Sequence, residues 1–272
     1  MESLFRTFRH MVVGLAAAAA ILLPVWFVVT AFGGKYGLWT PLDAFIHVRN
    51  YAGMLLPAAA ILGVAALIVA VLFRVVFGAK NAPGPGGYIA GVAAIAVGVG
   101  GMLYAQSVRE LAGSVPPIHD ITTDTENPPQ FTQALIDRRE QAGARNSVDY
   151  AAKTNPADDR PLPQTQAQYY PDIAPIALDL PADAAYAAAL DTARSMGWTV
   201  STASESAGMF EATATTFWFG FKDDVVVRVT ETGMDGAVVD VRSVSRVGMS
   251  DLGANAARIE AFSERLRERV DA

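Results

Sequence analysis

The sequence predicts an α+β protein in which three transmembrane helices precede a two-layer domain, an antiparallel sheet with helices packed on one face. Three observations support this prediction. Three apolar stretches without ionisable side chains lie within residues 1–105, and residues 181–272 follow the order α-β-β-β-β-α. Charge divides the chain at the same place, because residues 1–105 carry six basic side chains against two acidic ones, whereas residues 106–272 carry fifteen against twenty-five.

The apolar stretches cover residues 11–32, 52–73 and 86–105, and none contains Asp, Glu, Lys, Arg or His. Each has the roughly 20 residues that a helix needs to cross the hydrocarbon core. A cleaved signal peptide is the alternative for the first stretch, but its length and the two further stretches argue against it. A secondary transporter is also disfavoured, since transporters place ionisable groups at membrane depth. We therefore expect residues 1–105 to form a membrane module in the lipid bilayer.

Basic residues near the ends of the spans give a weak orientation signal. One side carries Arg6, Arg9, Arg74 and Lys80, and the other carries Lys35, Arg49 and Arg109. The positive-inside rule then places the N-terminus in the cytoplasm. With three spans the C-terminal domain lies on the other side, which would be the periplasm for a protein of the cell inner membrane.

Small residues line one face of the third span, where Ala90, Ala94 and Gly98 recur every four residues. Such a face lets another helix approach closely. The sequence leaves two hypotheses open, a compact three-helix anchor and self-association with a second copy through this face.

The amino-acid composition changes after the membrane module, where prolines become frequent. Ten of the fifteen prolines fall between Pro116 and Pro181, so residues 106–180 are predicted to be an irregular, Pro-rich linker with one short helix over residues 131–141. Residues 181–272 are predicted to be the α+β domain. Its pattern gives a helix over 182–196, strands over 198–203, 209–216, 217–229 and 237–247, and a last helix from Ser250 and Asp251.

The chemistry available to this domain is narrow. The chain has no cysteine, and His119 is the single histidine after residue 105, so we expect no cofactor, no thiol nucleophile and no metal centre. The alternative of a cation held by His119, Asp120 and Asp124 competes with a turn stabilised by its own side chains. The acidic excess after residue 105 also argues against a nucleic-acid partner.

Asp223 and Asp224 are the candidates for acid–base chemistry, since a membrane-tethered carboxylate-dependent hydrolase needs two converging carboxyl groups. Neighbouring residues of a strand point to opposite faces, which argues against convergence. An enzyme stays an open alternative, and a binding module is favoured.

The favoured binding residues lie on the last two strands and at the junction with the last helix. Asp224, Arg228, Asp240, Arg242 and Arg246 would share one sheet side as a charged face, either solvated or facing a partner. At the junction, Asn255 lies on the apolar stripe of the last helix, as a structural lock or as part of an anion pocket. The predicted anion-binding or partner-binding set, for an envelope protein or an anionic lipid, is Arg228, Asp240, Arg242, Ser245, Arg246, Ser250, Asp251, Asn255 and Arg258.

Three motifs resemble one known family. They are Asp120-Ile121-Thr122-Thr123-Asp124 with Pro128-Pro129, the run from Trp218 to Arg228, and the run from Val239 through Ser250-Asp251-Leu252-Gly253-Ala254-Asn255 to Ile259. Over roughly residues 115–270 the chain resembles the family of the domain of unknown function 1499. The resemblance implies a domain type and no activity.

Overall fold

The computed structural model describes residues 2–233 and 235–271, so Met1, Met234 and Ala272 lie outside the described residues. Contacts divide the chain into two units. The first extends to Glu110 and includes Trp218–Gly220, and the second comprises Leu111–Phe217 and the chain from Phe221 onward.

The first unit contains helices α1 (Glu2–Lys35), α2 (Pro41–Val76) and α3, which spans Pro85–Ser114 and passes into the second unit after Glu110. All three helices are long and apolar enough to cross a membrane, which confirms the three predicted spans. Helix α2 begins well before its apolar stretch, because the Thr40 hydroxyl accepts a hydrogen bond from the Asp43 backbone N–H at 3.1 Å and caps the first turn.

Small residues bring the three helices together. Ala16, Ala66 and Ala94 are fully buried in one cluster, and a Cβ added at Gly98 would lie 2.6 Å from the Ala60 backbone nitrogen of α2. Helices can approach this closely only where side chains are absent or very short. The small-residue face of α3, for which the sequence left a compact anchor and self-association open, thus packs against α1 and α2 within the chain.

An aromatic cluster completes the first unit. The Trp218 ring lies edge-on to the rings of Phe27 and Phe32, with centroids 5.0 and 5.4 Å apart. The Phe219 ring lies edge-on to the ring of Phe45 at 5.8 Å. Edge-to-face contacts of this kind add to the stability that burial provides.

The second unit is built on one antiparallel sheet. Its strands are β1 (Asp120–Thr122), β2 (Ile176–Leu178), β3 (Thr199–Ser204), β4 (Met209–Thr215), β5 (Lys222–Glu231) and β6 (Ala237–Ser245). The order is β1-β6-β5-β4-β3, with β2 also paired to β6. The helices are α4 (Gln133–Gln141), α5 (Leu162–Tyr169), α6 (Ala182–Ser195) and α7 (Ala254–Val270), which confirms the α+β fold class.

Helices α6 and α7 cover one face of the sheet, where the alternating apolar side chains of β4, β5 and β6 form the main core. The opposite face carries a smaller apolar cluster, in which Phe131 and Leu135 contact Val226 and Val244. Leu135 belongs to α4, so this helix covers the second face of the sheet.

The segment 106–180 therefore differs from the irregular linker that its prolines suggested. The short helix predicted over residues 131–141 is α4, which adds a layer to the sheet. The segment also supplies β1, β2 and α5, which were not predicted. The two strands have three residues each, which is too short for a periodic signal. The last helix also begins later than expected, because Leu252 and Gly253 have φ angles of 56° and 80° and delay its start to Ala254.

Candidate functional site: two polar clusters on opposite sheet faces

The charged face lies on one side of β5 and β6, as predicted. Arg228 is directly opposite Asp240, Arg242 is opposite Val226, and Asp224 is opposite Val244. Opposed residues of antiparallel strands share a face. The expectation that this face meets solvent or a partner is wrong, because Arg242 and Asp224 are fully buried beneath α4 and the chain that flanks it.

Arg242 is the centre of this cluster. Its Nε and Nη2 atoms donate to the Asp120 carboxylate at 3.0 and 2.9 Å, and further N–H groups donate to the carbonyls of Pro129 and Val148 at 3.2 and 2.5 Å. Its guanidinium carbon lies 5.2 and 5.5 Å from the ring centroids of two aromatic residues, Phe131 and Tyr150. Protein groups therefore replace the hydration that burial removes from this cation.

Asp120 is completely buried and also accepts a hydrogen bond from the Lys153 ammonium at 2.5 Å. Burial by itself would raise the pKa of Asp120, but the hydrogen bonds and charges of Arg242 and Lys153 lower that pKa below its ordinary value. Burial also lowers the pKa of Lys153, although the negative charge of Asp120 acts in the opposite direction. The carboxylate is thus held in its ionised form.

Asp224 holds α4 on the sheet. One of its oxygens accepts from Arg139 of α4 at 2.6 Å and from the Arg246 Nε at 2.8 Å, and the other accepts from Arg246 Nη2 at 2.7 Å and the Thr213 hydroxyl at 2.8 Å. Burial would raise the pKa of Asp224, yet the contacts with Arg246 and Arg139 lower it. Arg246 is therefore an ion-pair partner of a buried acid.

The edges of the charged face are paired in the same way. Arg228 donates to Asp240 at 2.8 Å and to Asp124 at 3.1 Å. The buried Glu211 accepts from the backbone N–H of Thr132 at 2.6 Å and from its hydroxyl at 2.8 Å. Thr132 is also the N-cap of α4, so Glu211 fixes the start of the covering helix.

A second polar cluster, the Asn255 lock, lies on the other sheet face. Asn255 is fully buried. Its side-chain oxygen accepts from the Ser243 hydroxyl at 2.6 Å, and its nitrogen donates to the Ser245 hydroxyl at 2.9 Å and to the His119 carbonyl at 3.2 Å. The amide thus ties α7 to β6 and to the chain before β1, which is the structural alternative of the two that the sequence left open.

The other predicted residues at this junction, Arg258, Asp251 and Ser250, also form hydrogen bonds within the protein. Arg258 donates to the Ser243 hydroxyl at 2.9 Å and to Asp223 at 2.5 Å. Asp251 accepts from the backbone N–H groups of Gly253 and Asn255 at 2.8 and 3.0 Å, and burial raises its pKa. The Ser250 hydroxyl accepts from the Leu252 N–H at 3.1 Å.

This geometry opposes the anion-pocket hypothesis. Arg246 binds Asp224 on one sheet face, whereas Arg258 binds Asp223 on the other, so the two guanidinium groups do not converge. The amides at the start of α7 already donate to Asp251. The groups that the sequence suggested as donors to a bound anion, Arg246, Arg258 and the amides at the start of α7, each donate to an acidic side chain of the protein itself.

The same geometry separates the two candidate catalytic acids. Asp223 and Asp224 point to opposite faces, as predicted, and each is bound by at least one arginine. The His119 Nδ1 lies 3.3 Å from the Met249 carbonyl, and burial lowers the pKa of His119. Within residues 2–233 and 235–271, no three His, Asp or Glu side chains are grouped to hold a metal ion.

The residues that cover the charged face were not predicted from the sequence. Arg139, Lys153 and Glu211 form three of its ion pairs, and none was among the predicted residues. One signal was available for Arg139, because it follows Leu135 by four positions and both are buried on the same side of α4. Lys153 and Glu211 carry no comparable local signal.

These features define a membrane-anchored α+β protein whose sheet is fastened on both faces by internal polar clusters. The model of the family described as "Protein of unknown function (DUF1499)" matches residues 120–266. The match covers more than half of the chain, which therefore belongs to this family. The comparison with curated proteins found no match.

The Asn255 lock leads to a first prediction. Replacing Asn255 by Ala should lower the free energy of unfolding by about 1–3 kcal/mol, because Ser243, Ser245 and the His119 carbonyl lose buried hydrogen-bond partners. The control is Asn127→Ala, since Asn127 is exposed and its loss should change stability by less than about 0.5 kcal/mol. Denaturant titrations of the full chain in detergent measure both, and equal effects would contradict the lock.

A second prediction concerns pH. The pKa values of Asp120 and Asp224 are lowered in the folded protein, so the stability they contribute is present above the unfolded value of about 3.9 and is lost as pH falls through the folded values. Asp251, with a raised pKa, has the opposite sign and partly offsets the loss.

We therefore expect the midpoint of denaturant unfolding of the sheet domain to fall steeply below about pH 4. Circular dichroism of the full chain at stepped pH measures it. Asp224→Asn should lower stability at neutral pH and flatten the acid dependence. An unchanged slope in this variant would show that Asp224 does not contribute to it.

Proposed function

We propose that this chain is a multi-pass protein of the cell inner membrane whose C-terminal domain lies in the periplasm and binds a partner protein of the envelope. The three apolar helices and the charge bias around them support the location. The internal ion pairs of the domain hold its shape, and its outer surface binds the partner protein.

The observation that carries this proposal is the closure of the charged face. Every acid and base predicted there, Asp224, Arg228, Asp240, Arg242 and Arg246, has an ion-pair partner within the domain. Catalysis requires titratable groups that converge on a space open to substrate. The hydrolase alternative draws no support from Asp223 and Asp224, which lie on opposite faces.

A concave surface suited to a partner lies at the far end of β5 from Lys222. It is an open recess of about 630 Å³ between the start of α6 and the β3–β4 turn, lined by Asp183, Ser204, Glu205, Ser206, Gly208 and Val229. Its two carboxylates and small side chains suit a basic segment of a partner protein, through charge-assisted hydrogen bonds. The binding site we propose is thus acidic, unlike the basic patch expected from the sequence.

The absence of cysteine makes one experiment sufficient for location and binding. A single cysteine at Ser206 should react with a membrane-impermeant, photoactivatable maleimide in cells with a permeabilised outer membrane, and illumination should give a discrete cross-linked product. A cysteine at Lys80, in the loop between α2 and α3, should stay unlabelled. A cysteine at Glu268, exposed on α7, should be labelled without cross-linking.

Each part of the proposal has its own contradicting outcome. Labelling at Lys80 and protection at Ser206 would reverse the orientation. Equal cross-linking at Ser206 and Glu268 would remove the recess as the binding site. In the Glu205→Lys background the product at Ser206 should decrease, because the substitution reverses one charge of the recess.

A further inference from the structure

Two large apolar side chains are strongly exposed at one end of the sheet. Met249 is 76% exposed and Phe217 is 64% exposed. They lie at the same end because Asp223 pairs with Ser245, and the Arg246 N–H donates to the Lys222 carbonyl at 3.0 Å. The β4–β5 loop and the β6–α7 loop thus leave the sheet side by side. Single exposed apolar residues are ordinary, so the meaning of this pair depends on what lies near it.

The connection between α3 and β1 is short, and it leads to the end of the sheet that carries Phe217 and Met249. Helix α3 runs without a break from the third membrane span to Ser114, and β1 begins at Asp120. An extended connection of this length reaches about 20 Å at most. Asp120 pairs with Val244, next to the β6–α7 loop. The connection therefore sets an upper limit on how far the start of β1 can be from the end of α3.

The β4–β5 loop gives a second, independent indication. Its tip, Trp218–Gly220, belongs to the unit of the membrane helices, where the Trp218 ring lies among the aromatic rings of Phe27 and Phe32. Phe217 directly precedes this tip. Tryptophan and its aromatic neighbours favour the headgroup level of a bilayer.

Two basic side chains flank the exposed apolar pair. Lys222 begins β5, and the Arg145 backbone N–H donates to the Arg246 carbonyl at 2.8 Å, which places Arg145 at the same end. Both side chains are exposed, and neither forms an ion pair with any residue of the described ranges. Exposed apolar side chains with neighbouring cations are typical of surfaces that rest on anionic lipid.

We propose that Phe217, Met249, Lys222 and Arg145 form a lipid-contacting edge. Phe217 and Met249 enter the boundary between headgroups and acyl chains, and the two cations pair with headgroup phosphates. The edge depends on the membrane anchor and not on the partner-binding recess, so either proposal can fail without the other.

The cysteine-free chain again supplies the experiment. Full-length protein carrying Met249→Cys or Ser206→Cys is labelled with bimane and reconstituted in vesicles of phosphatidylcholine and phosphatidylglycerol. Ser206 is the matched exposed control at the other end of the sheet. Quenching is measured with nitroxide-labelled lipid and with aqueous iodide. We expect lipid nitroxide to quench the label at Met249 several-fold more strongly than the label at Ser206, and iodide to show the reverse order.

Three outcomes would overturn the proposal. Equal iodide quenching at both positions would place Met249 in bulk water. Protection of Met249 from both quenchers would show that protein, such as a second copy of the chain, covers the edge. No loss of lipid quenching in the Lys222→Ser, Arg145→Ser double variant would exclude the headgroup pairing.

Discussion

The buried ion pair between Arg242 and Asp120 is the interaction on which the sheet domain depends. It joins the middle of β6 to β1 across more than a hundred residues of chain, and both side chains are removed from water. A buried pair is tolerated only when the remaining donors and acceptors also find partners. Here those partners come from the chain that leads into and out of α4, which must therefore close over the sheet: Pro129, Phe131, Val148, Tyr150 and Lys153.

This constraint explains why charged residues on the sheet do not make a reactive surface. Asp120 and Asp224 each accept from two cations of the domain, and their pKa values are lowered accordingly. Removing one member of such a pair leaves an uncompensated charge in the interior, at a cost of about 3–5 kcal/mol. The residues that look chemically interesting are therefore committed to holding the second layer in place.

The sequence predicts those elements whose signal is local. Span length identifies α1, α2 and α3, and alternation identifies β5 and β6. The opposite orientation of Asp223 and Asp224 follows from strand geometry, and the burial of Asn255 follows from its place on the apolar stripe of α7. The lock could thus be anticipated from the residues of one helix and one strand.

The closure of the charged face could not be anticipated in this way. An alternating row of Asp and Arg on a strand has the same pattern whether it faces water or a second layer. The difference is set by α4 and its flanks, which lie about a hundred residues earlier. The helix itself was predicted, but no local signal indicated that it packs on the sheet. Strands of three residues, such as β1 and β2, give no periodic signal either, although β1 carries the acid that binds Arg242.

Hydrogen exchange tests most directly whether Arg242 holds this second layer. In the full-length protein, Arg242→Met should strongly increase the exchange of backbone amides across residues 123–150, while those of β3 and β4 stay protected. Arg138→Met is the matched control, because the Arg138 side chain is 42% exposed and lies 3.9 Å from Glu211, and it should leave the segment protected. Unchanged protection of residues 123–150 in Arg242→Met would contradict the account.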